Sequence, residues 1–485
     1  MTQIHELSAL DLASAVRAGE VSPTQVVDHT LERARRLGPA VGAFVLLAED
    51  RARAQAAEAE EQLAAVGTSG GEGALAPFLG VPVPIKDLSM VAGMPFELGS
   101  AAFEGAVAPV DDGVVTLLRG AGTLMVGKTT VPEMGLPPYT EPDVAPPARS
   151  PWDLSRTAGG SSGGAAAAVA AGIVPAAHGS DGGGSLRIPA AATGLVGLKA
   201  SRGRVSRGPH GVDGPALGTE GVLTRTVRDT AAFLDVLGQH WPGDHYLLPA
   251  PRTTFLDACD RPVRPLRVGV LTDPINVADA PVHPAARAAV GRASRLLEGM
   301  GHHLEQAPVP FAPEQWDAFM PLWSVMALQA PVPPEREELL VPLTRWMREI
   351  GRQISGAGYA DAVGNAQRLA RQTALAWSPF DVILTPTLAQ PPMRIGAMRD
   401  DADPAGDFEA QKEFTPWTSA WNLIGAPAIS LPLHREVVDD GAGRVELPFG
   451  IMLGARLGEE ETLLGLAAQL EAADPWPHFA PGANI

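Results

Sequence analysis

The chain has 485 residues, of which 45% are hydrophobic and 19% charged, and a formal net charge of −18. This composition excludes a disordered chain, and a field of that sign repels phosphate backbones, which argues against nucleic acid as a partner. A single cysteine, Cys259, excludes an internal disulfide framework and suits a reducing cytoplasm, the expected location.

The N-terminus MTQIHELSAL has no basic segment followed by an apolar core, so no signal peptide is expected. No apolar run reaches the ~18 residues of a spanning helix, so no membrane partner is expected. Leu7, Leu10, Leu12, Ala15 and Val16 recur at helical spacing. Ser22-Pro23-Thr24-Gln25 starts a second helix: Ser22 caps it, Pro23 takes the first position and Gln25 completes a capping box. Residues 48–66 are rich in Ala, Glu and Arg and predict a third helix, followed by a Gly-rich loop over 67–74. Leu79–Ile85 is a short extended run, and its two prolines point to an edge strand or an irregular segment. Thr123–Val126, Leu266–Leu271 and Val382–Leu384 are further strand candidates. Helical patterns cover 113–121, 163–171, 227–238 and 283–299. Strands alternating with helices in this way predict an α/β fold. Residues 313–378 look mostly helical and carry Trp316, Phe319, Trp323, Trp346 and Trp377. This stretch reads as a helical insertion or lid on a single domain of residues 1–485, with N-terminal helices over 1–66 and a catalytic core over 79–210.

Of 37 basic residues only four are lysine: Lys86, Lys128, Lys199 and Lys412. Arginine keeps its proton in proteins, whereas a buried lysine can lose it, so each of the four is a candidate for proton chemistry.

Three motifs compete. Gly122-Thr123-Leu124-Met125-Val126-Gly127-Lys128-Thr129 fits the phosphate-loop pattern, but its middle residues are strand-like and Pro132 leaves no clean helix behind it. Gly159–Gly164 satisfies G-x-S-x-G at both Ser161 and Ser162. A nucleophile elbow there needs a buried strand before it, and residues 151–157 read as polar and turn-like. His434 and His478 have no context that marks either as the elbow's histidine. The third motif combines Lys86 in Pro84-Ile85-Lys86-Asp87, Ser161 in the Gly/Ser run, and Ser185 behind Gly182, Gly183 and Gly184. Three glycines let backbone amides converge on one oxygen. The serine behind them needs a base, and a neutral lysine acting through a second serine can supply it. Asp87 adjoins Lys86, yet neighbours on an extended chain point to opposite faces and need not pair.

With their flanking residues these pieces resemble the amidase signature family. The matching stretches are Gly80–Leu88, Gly120–Glu133, Ser150–Asp153, Gly159–Gly172, Gly179–Pro189, Gly194–Val205, Phe380–Thr387 and Phe414–Leu431. The resemblance implies a large mixed, mostly parallel twisted sheet with helices on both faces. It implies a Ser-Ser-Lys triad: Ser185 as nucleophile, Ser161 as bridge after a cis Gly160–Ser161 peptide, and Lys86 as base. It places the oxyanion hole on Gly182, Gly183 and Gly184 with the Ser185 amide, and gives Ser162, Asp181 and Arg187 bracing roles. The family pattern gives His178 no catalytic role. No metal or cofactor is needed, and a monomer or homodimer is expected. The chain departs from the commoner family pattern in two places. Position 182 is glycine where many members carry threonine or isoleucine, and Leu447–Ile451 replaces a more usual Pro-Val-Gly-Val run.

The function implied is hydrolysis of an amide C–N bond through an acyl-enzyme. Trp316, Trp323 and Tyr139 favour hydrophobic or aryl amides, and carbamates (urethanes) and esters fit the same chemistry. One alternative is an amidotransferase subunit that releases ammonia from glutamine in a transfer-RNA-dependent complex. Arg187-Ile188 speaks against it, because such subunits often have glutamine after the arginine. The other is a non-catalytic binding protein, which the intact Lys86, Ser161 and Ser185 disfavour.

Overall fold

The computed structural model describes residues 3–69, 75–441 and 443–480. Its N-terminal helices form where their caps predict them. Helix α1 spans Ala9–Arg17 and α2 spans Pro23–Val41. The Ser22 side chain accepts the Gln25 amide and the Gln25 side chain accepts the Ser22 amide, so the capping box is closed. A strand the sequence did not announce, β1 (Phe44–Leu47), separates α2 from α3 (Glu49–Ser69). Helix α3 runs into the stretch expected to be a loop, whose residues 70–74 lie outside the described ones.

A small sheet pairs β1 with β3 (Gly127–Thr129) and β3 with β2 (Ile85–Lys86), antiparallel and parallel respectively. The strand expected at Thr123–Val126 forms later. Thr123 Oγ1 donates to Leu118 O at 2.9 Å, tying that segment to the end of α4 (Gly113–Gly120), and Leu124 bridges only to Pro82. Lys128 and Thr129 thus lie in a strand, so the apparent phosphate-loop match has no loop geometry. A two-stranded ladder, β4 (Arg149–Ser150) with β5 (Asp153–Thr157), replaces the turn expected over 151–157.

The main sheet has eight strands: β6 (Ala176–Asp181), β7 (Val196–Lys199), β8 (Thr219–Thr224), β9 (Arg267–Val270), β10 (His303–Gln306), β11 (Val382–Pro386), β12 (Ala428–Asp439) and β13 (Arg444–Ala455). Their order is β10-β9-β11-β13-β12-β7-β8-β6. The sheet is mixed, as expected, but not mostly parallel. Among the described residues of this sheet only β10 with β9 and β9 with β11 pair in parallel. Strands β6 and β7 run the same way around the intervening helix, yet β8 inserts between them and pairs antiparallel with both. The long β12–β13 hairpin makes the centre antiparallel too.

Both faces of the sheet are covered, and the strand alternation shows how. Val382 and Leu384 of β11 join one core cluster and Ile383 joins another. The first cluster includes α7 (Val227–Leu237), which packs with the short α8 (Phe255–Ala258), and α9 (Pro284–Gly299). The second is built by α10 (Phe319–Gln329), α11 (Pro342–Gln353) and α12 (Gly356–Ala376), so residues 313–378 are helical as predicted. Helices α13 (Pro404–Phe414) and α14 (Thr418–Ile424) follow on that side, and the C-terminal helix (Glu460–Ala473) returns to the first.

Candidate active site

Strand β2 delivers Lys86 into the interior, where its side chain is fully enclosed. Its Nζ lies 2.8 Å from Ser161 Oγ, 2.9 Å from Ser180 Oγ and 3.3 Å from Ser180 O. Burial lowers its pKa to about 7, against the opposing pull of Glu220 and Asp181. A neutral amine has two N–H groups and one lone pair. It can donate to Ser180 and accept from the Ser161 hydroxyl. Asp87 turns away and pairs with Lys128 at 2.8 Å, as opposite faces of an extended chain require. Of the other lysines, Lys199 donates to Ala200 O at 2.8 Å and Lys412 pairs with Glu409 at 2.7 Å.

Ser161 follows a cis Gly160–Ser161 peptide. The run fits only because it lacks side chains: a Cβ on Gly160 would lie 2.7 Å from the Tyr139 amide nitrogen. Ser162 donates from Oγ to Ser180 O at 3.2 Å, tying the run to β6. Behind it α5 (Gly163–Ala170) is buried at all eight positions. A Cβ on Gly164 would stand 2.4 Å from the Thr130 nitrogen, so the Gly/Ala composition is a packing requirement.

Ser185 sits in the turn between β6 and α6 (Arg187–Thr193). Asp181 organises that turn. It accepts the amides of Gly184 at 2.8 Å and Leu186 at 3.2 Å. It also accepts two guanidinium hydrogen bonds from Arg187, both 2.9 Å, and one from the Asn422 side-chain amide at 2.9 Å. Burial alone would raise its pKa; the Arg187 charge and hydrogen bonds, with Asn422, outweigh it and hold the carboxyl at about 2. Arg187 also donates to Thr418 O and Asn422 Oδ1, each at 2.8 Å. The family resemblance covered α14 but singled out no residue in it. Asn422 and Thr418 were therefore missed, since their partners lie more than 200 residues away in the chain.

The expected oxyanion donors need one correction. The Gly184 amide is already committed to Asp181, so it braces the turn. Among the described residues the amides of Gly182, Gly183 and Ser185 make no backbone or side-chain hydrogen bond. His178 lies behind Lys86. Its Nδ1 accepts the Lys86 backbone N–H at 3.3 Å and its Nε2 faces Glu220 at 3.1 Å.

Ser185 opens onto two cavities. One, of about 390 Å³, is also lined by Ser161, Ser180, Gly182 and Glu220. The other, of about 50 Å³, is lined by Gly183 and by Trp316, Phe319, Trp323 and Phe408. Trp316 and Trp323 therefore stand at the site. Tyr139 does not. It is buried against Ile188 and Ala192, and its hydroxyl donates to Asp407 at 2.6 Å, because this loop turns its prolines, Pro137 and Pro138, toward the cavity.

This fold, with buried lysine and serine hydroxyls in hydrogen-bond contact beside a glycine turn, defines a hydrolase of amide C–N bonds. Residues 25–464 match the Amidase family model, and the chain belongs to that family. A provisionally named amidase of Synechocystis sp. is 37% identical over 97% of this chain and 89% of its own. The 6-aminohexanoate-cyclic-dimer hydrolase of Paenarthrobacter ureafaciens is 33% identical over 96% of this chain and 94% of its own. A solved 6-aminohexanoate cyclic dimer hydrolase superposes with a TM-score of 0.88 at 30% identity over the whole of both chains. A bacterial aryl acylamidase superposes with a TM-score of 0.85 at 28% identity over 98% of each chain.

Proposed function

We propose that the chain hydrolyses its amide through an acyl-enzyme on Ser185, with Lys86 as base and Ser161 as proton bridge. The observation that carries this is the 2.8 Å contact of a fully buried Lys86 Nζ with Ser161 Oγ, beside a cavity that Ser161 and Ser185 both line. Ser185 Oγ bonds to the carbonyl carbon while its proton passes to Ser161 and the Ser161 proton passes to Lys86. The resulting oxyanion is met by the free amides of the turn, each worth ~3–4 kcal/mol in the transition state. Lys86 then returns the proton through Ser161 to the nitrogen, and the C–N bond breaks. Water repeats the sequence on the ester and frees the acid.

The aromatic wall supports hydrophobic or aryl amides as substrates, and carbamates and esters can follow the same steps. We read residues 313–378 as an insertion of one catalytic domain, and the lone cysteine supports a cytoplasmic site of action. Among the described residues no helix is long and apolar enough to cross a membrane. A panel of anilides, aliphatic amides, carbamates and esters tests the substrate class; a strong preference for small charged amides overturns it. Glutaminase activity appearing only with partner subunits would favour the amidotransferase reading. Fluorophosphonate labelling tests the serines. Ser185→Ala should abolish it, and labelling kept in Ser185→Ala but lost in Ser161→Ala would reverse their roles.

A further inference from the structure

Leu136, Ser185 and Trp323 belong to the walls of both cavities and so lie where the two meet. The wide cavity includes Ser161; the narrow one includes Ser185 but not Ser161. Trp323 packs directly over residue 182, where glycine leaves it room. A Cβ there would lie 3.2 Å from Cζ3 and 3.3 Å from Cη2 of the indole, tighter than ordinary contact. The indole has little room to retreat. It stacks on Phe319 at 5.0 Å, Phe319 stacks on Trp316 at 4.9 Å, and Trp316 Nε1 donates to Ser419 Oγ at 3.0 Å.

We propose that Trp323, seated against Gly182, divides the site into a leaving-group chamber on the Ser161 side and a narrow acyl chamber that selects a flat, hydroxyl-bearing aryl acyl group. The proposal rests on the acyl-enzyme reading above. In that mechanism the leaving nitrogen takes its proton from Ser161, so it must face the wide cavity. The rest of the acyl group then lies across Ser185, among Trp316, Phe319 and Phe408. A chamber of only about 50 Å³ walled by these rings admits a flat group better than a branched one. The hydroxyl follows from Asn276, which is 5% exposed and also lines the narrow cavity. Its Nδ2 donates to Ser419 Oγ at 2.8 Å, and its Oδ1 has no partner among the described residues. A hydroxyl can serve either end of that amide, because it both donates and accepts.

The test uses the full chain and anilides that vary in one half at a time. Trp323→Ala should raise kcat/KM for a diphenylacetyl anilide relative to the benzoyl anilide by about tenfold or more. The ratio between anilide and naphthylamide leaving groups should stay within about twofold. A change confined to the leaving-group series overturns the chamber assignment. Gly182→Val should impair benzoyl turnover, and adding Trp323→Ala should restore about tenfold of it; no restoration overturns the Gly182–Trp323 contact as the cause. Asn276→Leu should reduce the preference for ring-hydroxylated over plain benzoyl anilides from about tenfold to about one; a wild type without that preference overturns the hydroxyl assignment. Trp323→Leu, with a matched melting temperature, replaces Trp323→Ala if the latter does not fold. Intact-mass detection of the acyl-enzyme separates the two levels. No adduct on the wild type counts against the mechanism, whereas an adduct with unaltered acyl selectivity in the Trp323 variants counts against the partition alone.

Discussion

Two buried charge centres flank Ser185, and they are built on opposite principles. Asp181 is saturated: Arg187, Asn422 and two amides hold its carboxyl at about 2. Lys86 has hydroxyl and carbonyl partners but, among the described residues, no carboxylate within hydrogen-bond reach, and burial brings it to about 7. One centre cannot change its protonation at working pH; the other changes it readily. A scaffold needs the first property, and the base proposed for Ser185 needs the second. The strand pair β2–β3 repeats the contrast, since Lys128, as deeply buried as Lys86, is given Asp87 as a counter-ion.

The largest effect should separate the two centres by function. Lys86→Met should lower kcat by about 10³–10⁴-fold while leaving the melting temperature unchanged or higher, because an apolar chain replaces a buried amine without a counter-ion. Unfolding of that variant would mean that Lys86 is structural. Arg187→Met should do the reverse to the saturated centre. It leaves Asp181 buried and unpaired, at a cost of about 3–5 kcal/mol in chemical denaturation. If stability is unchanged, Asp181 is not held by Arg187.

The pH profiles sharpen the same distinction. A base that must be neutral makes kcat/KM rise about tenfold per pH unit below about 7 and level off above it, the sign set by the lowered pKa of Lys86. A profile flat from pH 5 to about 8 would remove Lys86 as the titrating base. For Asp181 the folded pKa is depressed from the ordinary 3.8 to about 2. Its stabilisation is therefore complete above 3.8 and is lost as pH falls through about 2, whereas in Arg187→Met burial is left to raise the Asp181 pKa, so the variant's stability deficit against wild type should narrow as pH falls and the carboxyl takes up a proton. The smallest effect belongs to Ser180→Ala, which removes one hydroxyl from Lys86. It should cost about 1 kcal/mol in activation free energy, roughly fivefold in kcat. A loss as large as that of Lys86→Met would make Ser180 part of the proton path.

Elements whose signals lie within a few residues were legible. The Ser22 capping box closes over three positions, the helices at 113–121, 227–238 and 283–299 follow from local periodicity, and the one at 163–171 from its alanine-rich run. The strand predicted at Thr123–Val126 failed because the Thr123 side chain closes the preceding helix, a competitor that periodicity does not weigh. Position before the Gly/Ser run points Tyr139 toward the site, but its hydroxyl pairs with Asp407 instead, 268 residues on. Gly184 was grouped with its neighbours as an amide donor, but the φ of +133° that requires glycine there also accompanies its commitment to Asp181.

By itself the sequence determined the residue types of the site and their order: a rare lysine, a Gly/Ser run and a serine behind three glycines. It also determined the local backbone, because caps, prolines and glycines act on their own neighbours. Only the tertiary structure decided that β8 would separate β6 from β7, that Asn422 would join Asp181, and that Trp323 would settle on Gly182. Each of these joins residues far apart in the chain. Such contacts depend on how whole helices and strands share one packed interior, which no local pattern specifies.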